Sequence, residues 1–270
     1  MIQTQNKPVT RPPWRRRLGR YYYITKRHIH WLTGPEKWAR TQTAQLDHVL
    51  IEHQSVLLRP LRNVDMHLQH NKIVNLRLAA AHIDGLLLHP GETFSFWHRV
   101  GAPSARKGYL EGLVLQNGRI GTGTGGGLCQ LGNLLYWMAL HTPLTVVERW
   151  RHSYDVFPDV NRALPFGSGA TLAYNYIDLQ LRNDTQQPFQ LCVGLTATHL
   201  TGAIRSTAPW PERYEVFEQS HEIRHEHWGG YSRHNVIARR VLDASTGVLL
   251  REEIVTENHA LMMYQPFLEG

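Results

Sequence analysis

The sequence feature that most restricts the fold is a glycine-rich segment at residues 118–127, where six of ten residues are glycine. Glycine loses more conformational freedom on folding than any other residue, so this run disfavours a helix and predicts a loop. Directly after it, apolar residues recur at helical spacing over residues 128–140, and a His-Thr-Pro sequence ends the pattern. The chain is therefore expected to pass from a glycine loop into the N-terminus of a buried helix.

Apolar patterning differs on the two sides of this loop–helix unit. Upstream, helical spacing predicts helices over residues 43–58 and 63–88, with Asn63 or Asp65 as the cap of the second. Downstream, short apolar segments separated by turn residues predict strands. These segments lie at residues 144–150, 170–174, 177–182, 189–195, 200–204, 214–217, 236–242, 248–254 and 261–264. The sequence thus predicts an α+β fold, with N-terminal helices packed on a C-terminal, mostly antiparallel β part.

Charge divides the chain into an arm and a body. Residues 1–40 carry ten lysines or arginines and one acid, Glu36, a net charge of +9; because the whole chain carries +7, the rest sums to −2. We interpret residues 1–40 as a basic, aromatic, partly disordered arm, largely disordered over residues 1–20. Residues 41–270 are interpreted as one domain, made of a helical part (41–89), a motif core (90–192) and a β-rich part (193–270).

The arm interleaves cations with tyrosine and tryptophan over residues 21–38. This pattern suits an anionic membrane surface or nucleic acid, and the alternative is a helix that packs its aromatic side chains on the body. Nucleic acid is the least favoured partner, because the body itself carries almost no net charge. No apolar run approaches the roughly 20 residues of a membrane span, and no apolar segment of a secretory signal follows the N-terminal cations. We therefore expect a cytoplasmic protein, peripheral at the inner membrane through residues 1–40.

Cys129 is the strongest candidate for chemistry. It lies in the first turn of the helix after Gly125, Gly126 and Gly127, where the helix dipole and unpaired N–H groups are expected to lower the thiol pKa. The glycine amides and the Gln130 N–H are candidate donors to an oxyanion. The alternatives are a small buried residue at a helix start and a phosphate-binding loop, although the segment lacks the Gly-Lys-Ser/Thr ending of a P-loop. Cys192, in an apolar strand, is expected to be buried and inert.

A cysteine nucleophile needs a base, and His152 is the best candidate. It follows the strand predicted at residues 144–150, so an antiparallel return could bring it beside Cys129. Asp178 lies in an otherwise apolar strand, where a carboxylate needs a partner, and it is the first candidate to orient His152. Asp155 and Asp159 are the alternatives.

Residues 221–225 read His-Glu-Ile-Arg-His, a literal match to a zinc-protease motif. Zinc chemistry requires both histidines on one helical face, and this segment has no helical apolar stripe. The two cysteines also exclude a four-cysteine zinc site. The sequence therefore predicts no metal site, and it points to no cofactor.

Several motifs together resemble the VanW-like family. They are Pro-Gly-Glu-Thr-Phe-Ser-Phe at 90–96, Gly-Tyr at 108–109, Gly-Gly-Gly-Leu-Cys-Gln-Leu at 125–131, Leu-Tyr at 135–136, Glu-Arg at 148–149, His-Ser at 152–153, Gly-Ala-Thr at 169–171 and Asp-Leu at 178–179. The resemblance implies a link to glycopeptide-resistance clusters and L,D-transpeptidase-like acyl transfer on peptidoglycan stem peptides. In that case Cys129 is the nucleophile, and Gly125, Gly126, Gly127, Gln130 and Ser153 are expected to bind substrate. The alternative is a non-catalytic accessory module that binds a cell-wall precursor or another anionic ligand.

Overall fold

The computed structural model of the protein describes residues 12–58, 65–116, 119–151, 154–156 and 164–266. Four α-helices lie within these residues: α1 (Pro13–Thr33), α2 (Met66–Ala81), α3 (Phe96–Val100) and α4 (Cys129–Leu140). The strands of the same residues are β1 (Lys37–Trp38), β2 (His48–Val56), β3 (Leu86–Leu88), β4 (Glu92–Ser95), β5 (Glu111–Gln116), β6 (Arg119–Thr124), β7 (Thr145–Glu148), β8 (Tyr154–Asp155), β9 (Gln180–Arg182), β10 (Phe189–Leu195), β11 (His199–Ser206), β12 (Glu212–His225), β13 (Tyr231–Asp243) and β14 (Leu249–Met262).

Among the described residues, the strands form three four-stranded sheets and one hairpin. The sheets have the orders β1-β4-β9-β7, β2-β11-β10-β3 and β12-β13-β14-β8, and β5 pairs with β6. The pairings are antiparallel except for β1 with β4 and β8 with β14. The predicted α+β class is therefore confirmed, and the division of the chain into an arm and a single domain remains a prediction.

Helix α4 lies in the hydrophobic core and packs against β2 and β11. It is apolar nearly all round, which is typical of a helix covered on several sides, and nine of its twelve residues are buried. The helix predicted over residues 128–140 is thus confirmed to within one residue. The turn that precedes it packs on β5, where Gly126 lies directly against Gly112.

The prediction of a helix over residues 43–58 was wrong. Residues 48–56 form β2, which pairs along its length with β11. The apolar spacing there was only approximately helical, and β-branched residues such as Val49 and Ile51 fit a strand equally well. Pairing with a strand about 150 residues later supplied the hydrogen bonds, so a tertiary contact decided the outcome.

The second predicted helix, over residues 63–88, divides into two elements. Helix α2 ends at Ala81, and residues 86–88 form β3 against β10. Asp65 caps α2 as predicted, since its Oδ1 accepts a hydrogen bond of 3.0 Å from the His67 N–H. Residue Asn63, the alternative cap, lies outside the described residues.

Three further predictions need correction. Residues 119–124 of the expected glycine loop form β6, which pairs antiparallel with β5, and only residues 125–128 turn. The expected disorder over residues 1–20 was wrong for residues 13–20, which begin α1. Residues 170–174 form no strand, whereas β10 spans the predicted residues. Within the described ranges, no helix is both long and apolar enough to cross a membrane.

Candidate functional site

Cys129 is the first residue of α4 and follows directly on the turn at residues 125–128. No side chain caps this helix, so its first N–H groups are not satisfied by a capping residue. The side chain is half-buried, and its Sγ lies 3.8 Å from the carbonyl oxygen of Leu172. The structure thus places the half-buried residue Cys129 at an uncapped helix N-terminus, with its thiol against the segment that contains Leu172.

Burial raises the pKa of the Cys129 thiol above its ordinary value, although hydrogen bonds with backbone groups of Leu172 and Cys129 lower it in part. The predicted lowering of this pKa was therefore wrong, because desolvation of the thiolate outweighs the hydrogen bonds that lower the pKa. At neutral pH the thiol is mainly protonated. Attack on a carbonyl consequently requires a neighbouring group that accepts the thiol proton.

We expect the alkylation rate of Cys129 in the native protein to rise at a higher pH than that of an ordinary thiol, whose pKa is about 8.5. Only the thiolate reacts, so a raised pKa moves the midpoint of the rate profile upward. Iodoacetamide labelling followed by peptide mass spectrometry measures this midpoint, with the urea-denatured protein as the reference. A native midpoint at or below that of the denatured protein would contradict the desolvated environment.

Close packing explains the glycines before Cys129. A Cβ atom on Gly126 would lie 2.1 Å from the carbonyl carbon of Gly112 in β5. The Gly126 carbonyl also accepts a hydrogen bond of 2.9 Å from Asn75 of α2. Gly125 and Gly127 have φ angles of +77° and +93°, which favour glycine. The three glycines therefore let the turn lie directly on α2 and on the β5–β6 hairpin.

Several of the backbone N–H groups predicted as oxyanion donors are already used. Those of Gly125, Gly126 and Gln130 donate to the carbonyls of Leu110, Gly123 and Gly127, at 2.9–3.0 Å. In the part of the chain that the structure describes, the N–H groups of Gly127 and Leu128 have no hydrogen-bond acceptor. Gly127, which was among the predicted donors, and Leu128, which was not, are therefore the remaining candidates for holding an anion beside Cys129.

The Gln130 side chain connects α4 to β2. Its Nε2 donates hydrogen bonds of 2.9 Å to Ser55 Oγ and to the carbonyl of Val56. The structure therefore gives Gln130 a positioning contact, and its expected role in binding substrate remains a prediction.

His152 and Ser153 lie outside the described residues, so the predicted pairing of His152 with Cys129 stays a prediction. Two polar side chains for which the sequence predicted no role hold the neighbouring chain in place. Asn133 of α4 accepts a hydrogen bond of 2.7 Å from the Ala170 N–H. Arg149 donates to the carbonyls of Gly167 and Gly169, and its guanidinium lies 4.7 Å from the ring centroid of Tyr136. Arg149 belongs to the Glu-Arg motif at 148–149 and Asn133 lies between the motifs at 125–131 and 135–136, and these positions are the signal that could have identified them.

Asp178 is fully buried and bound by four donors. Its Oδ2 accepts from Ser95 Oγ (2.6 Å) and Gln180 Nε2 (3.2 Å), and its Oδ1 accepts from the N–H groups of Trp97 (3.1 Å) and Leu179 (2.9 Å). Desolvation raises its pKa to about 6, and the nearby charge of Glu148 adds to the shift. A carboxylate has about four acceptor positions, which these four donors use, and the predicted contact with His152 stays a prediction because His152 lies outside the described residues. The contacts therefore identify Asp178 as a structural carboxylate that joins β4 and α3 to β9.

Of the two alternative acids, Asp155 is buried in β8, and Asp159 lies outside the described residues. The Asp155 carboxylate lies 3.2 Å from the Arg233 guanidinium and accepts a hydrogen bond of 2.9 Å from the Tyr264 hydroxyl. This ion pair connects β8 to β13 within one sheet, and Asp155 lies three residues after His152 in the sequence.

The zinc-protease match lies in a strand. His221 and His225 both belong to β12, so they are not one helical turn apart. No group of three or more potential metal ligands occurs among the described residues. Cys192 is buried in β10, as predicted, and burial raises its pKa as well.

Comparisons with known proteins agree with the motifs around Cys129. Residues 71–205 match the family described as VanW like protein. The chain is 35% identical over 219 residues to the vancomycin B-type resistance protein VanW of Enterococcus faecalis. The aligned segment covers 81% of this chain and 79% of that protein. It is 34% identical over 114 residues to the uncharacterized protein YoaR of Bacillus subtilis, covering 42% of this chain and 36% of YoaR. No solved structure matches the chain. With most of its length aligned to a protein of that name and its motif core matched to the family, the chain belongs to the VanW-like family.

Proposed function

We propose that the protein is a cysteine-dependent acyltransferase or hydrolase that acts on peptidoglycan-type stem peptides. The observation that carries this proposal is the position of the half-buried residue Cys129 at an uncapped helix N-terminus, directly after the unpaired N–H groups of Gly127 and Leu128. Acyl transfer needs a nucleophile and backbone donors that can stabilise an oxyanion, and the residues around Cys129 offer both. The family and the name of the Enterococcus relative support a cell-wall peptide as the substrate class.

In the proposed reaction, Cys129 Sγ attacks a carbonyl carbon of the stem peptide while His152 accepts the thiol proton. The carbonyl oxygen becomes an oxyanion, which the N–H groups of Gly127 and Leu128 stabilise. The C–N bond then breaks, the leaving amine takes the proton from His152, and a thioester remains. Water or the amine of a second stem attacks the thioester and restores the thiol, giving hydrolysis or transfer.

The raised pKa of Cys129 determines which kind of mechanism is compatible with the site. A mainly protonated thiol cannot act as a preformed thiolate, so proton removal must accompany the attack. A proton acceptor at His152 would supply this step, and a bound peptide would exclude water from the half-buried thiol at the same time.

We expect incubation with a synthetic stem peptide to give an acyl adduct on Cys129, detected by intact-protein mass spectrometry, together with a shortened or transferred peptide. Cys129→Ala should abolish both signals, because no thioester can form, whereas the matched variant Cys192→Ala should retain them. His152→Ala should slow the reaction by about 100-fold or more. Turnover by Cys129→Ala at the wild-type rate would contradict the proposal.

A second candidate is a non-catalytic module that binds a cell-wall precursor or another anionic ligand. The raised thiol pKa and the structural explanation of the three glycines favour this candidate. It predicts that a stem peptide raises the melting temperature of Cys129→Ala as much as that of the wild type, without any adduct on the wild-type protein. An adduct on Cys129 would decide against it.

A further inference from the structure

Helix α1 has one face that contacts the rest of the protein. Arg27 forms a two-pronged ion pair with the Glu148 carboxylate, with both N···O distances at 2.6 Å. The Trp31 ring packs edge-on against His98, with centroids 5.1 Å apart. Both contacts lie on one side of the helix because their positions differ by four residues, about one turn. They hold α1 in a defined rotation about its own axis.

The opposite face of α1 is apolar and exposed. At about 100° per residue, its large side chains fall within one stripe turned away from Arg27 and Trp31. The stripe consists of Trp14, Leu18, Tyr21, Tyr22, Ile29 and Leu32. Leu18 is 61% exposed and Leu32 is 85% exposed. A core helix would bury such residues, and no described residue covers this stripe.

The positive charges of α1 along both borders of the stripe indicate what kind of surface it can bind. Helix α1 contains five arginines and one lysine, and no acidic residue lies between Pro13 and Thr33. The exposed cations Arg15 and Lys26 lie along one border of the stripe and Arg17 lies along the other, by the same helical geometry. The complementary surface must therefore accept tryptophan, tyrosine and aliphatic side chains at its centre and offer negative charge on both sides.

We propose that α1 binds the surface of an anionic lipid bilayer and lies in the plane of the interface. Tryptophan and tyrosine favour the headgroup level, aliphatic side chains enter the acyl boundary, and flanking cations pair with anionic headgroups. The helix is too polar to cross the membrane, which agrees with an interfacial position. A second copy would place cation against cation along both borders of the stripe, and nucleic acid would leave Leu18, Ile29 and Leu32 in water. Because the Arg27–Glu148 ion pair fixes the rotation of α1, the apolar stripe on its opposite face would point toward the bilayer.

Vesicle co-sedimentation of the full-length protein tests the proposal. The vesicles contain phosphatidylcholine alone or a mixture with phosphatidylglycerol, and neither contains a peptidoglycan substrate. We expect binding to the anionic mixture that weakens as salt increases, and at least tenfold weaker partition for the double variant Leu18→Glu/Leu32→Glu. The matched control is Leu250→Glu/Ile254→Glu on β14, since these residues are 50% and 65% exposed, and it should bind as the wild type does.

Equal binding of the α1 double variant and the wild type would overturn the proposal, as would failure of the wild type to sediment with anionic vesicles. A wild-type dimer by light scattering that Leu18→Glu/Leu32→Glu converts to a monomer would also overturn it, because a second copy would then cover the stripe. Thermal unfolding of each variant checks that the fold is intact. Cys129→Ala should bind vesicles as the wild type does, so this result and the outcome of the acyl-transfer experiment are independent.

Discussion

Gly126→Ala should destabilise the protein by about 3 kcal/mol. The added Cβ would lie 2.1 Å and 2.2 Å from the carbonyl carbon and oxygen of Gly112, which is backbone and cannot rotate away. Either the β5–β6 hairpin or the start of α4 must move. Urea unfolding monitored by tryptophan fluorescence measures the change in the free energy of unfolding.

Gly121→Ala is the matched control, because Gly121 belongs to β6 of the same hairpin. A Cβ there would meet its nearest atom, a methyl group of Val114, at 4.0 Å. We expect the free energy of unfolding to stay within about 0.5 kcal/mol of the wild type. A Gly126→Ala protein as stable as Gly121→Ala would show that the turn before Cys129 is not packed as described.

Asp178→Asn should destabilise the protein by about 3 kcal/mol or more, because it turns an amide N–H₂ toward donors that now share a carboxylate. At least two of the buried donors, such as the N–H groups of Trp97 and Leu179, would lose their acceptor. Chemical unfolding at several pH values measures the loss. Asp184→Asn is the control, since Asp184 forms a surface pair with Arg182 and should cost less than about 1 kcal/mol.

The difference in the free energy of unfolding between the wild type and Asp178→Asn should depend on pH, and its sign can be predicted. The pKa of Asp178 is raised from 3.8 to about 6 on folding, so the native state binds more protons than the unfolded state between these values. The wild type therefore loses stability from this group as the pH rises from about 4 to about 6, whereas Asp178→Asn does not. The stability advantage of the wild type should shrink over that range. A difference that grows with pH would mean that the native environment favours the ionised carboxylate.

Local patterns in the sequence determined those elements for which periodicity, turns and caps all predict the same structure. Helix α4 has a continuous apolar pattern, a glycine turn before it and a proline after it, and the structure places it within one residue of the prediction. Asp65 caps α2 because a cap depends only on the next two or three residues. The same local order placed Cys129 at a helix N-terminus and supplied the motifs that identify the family.

Tertiary structure alone decided the features that depend on distant residues. Residues 48–56 became a strand because β11 pairs with them. Asp178 became a structural carboxylate because Ser95 and Trp97, more than 80 residues earlier, bring their donors to it. The Cys129 pKa rises because packing removes water from the thiol, an effect that no local pattern encodes. Periodicity and capping act over a few residues, whereas strand pairing, burial and desolvation depend on which distant segments meet.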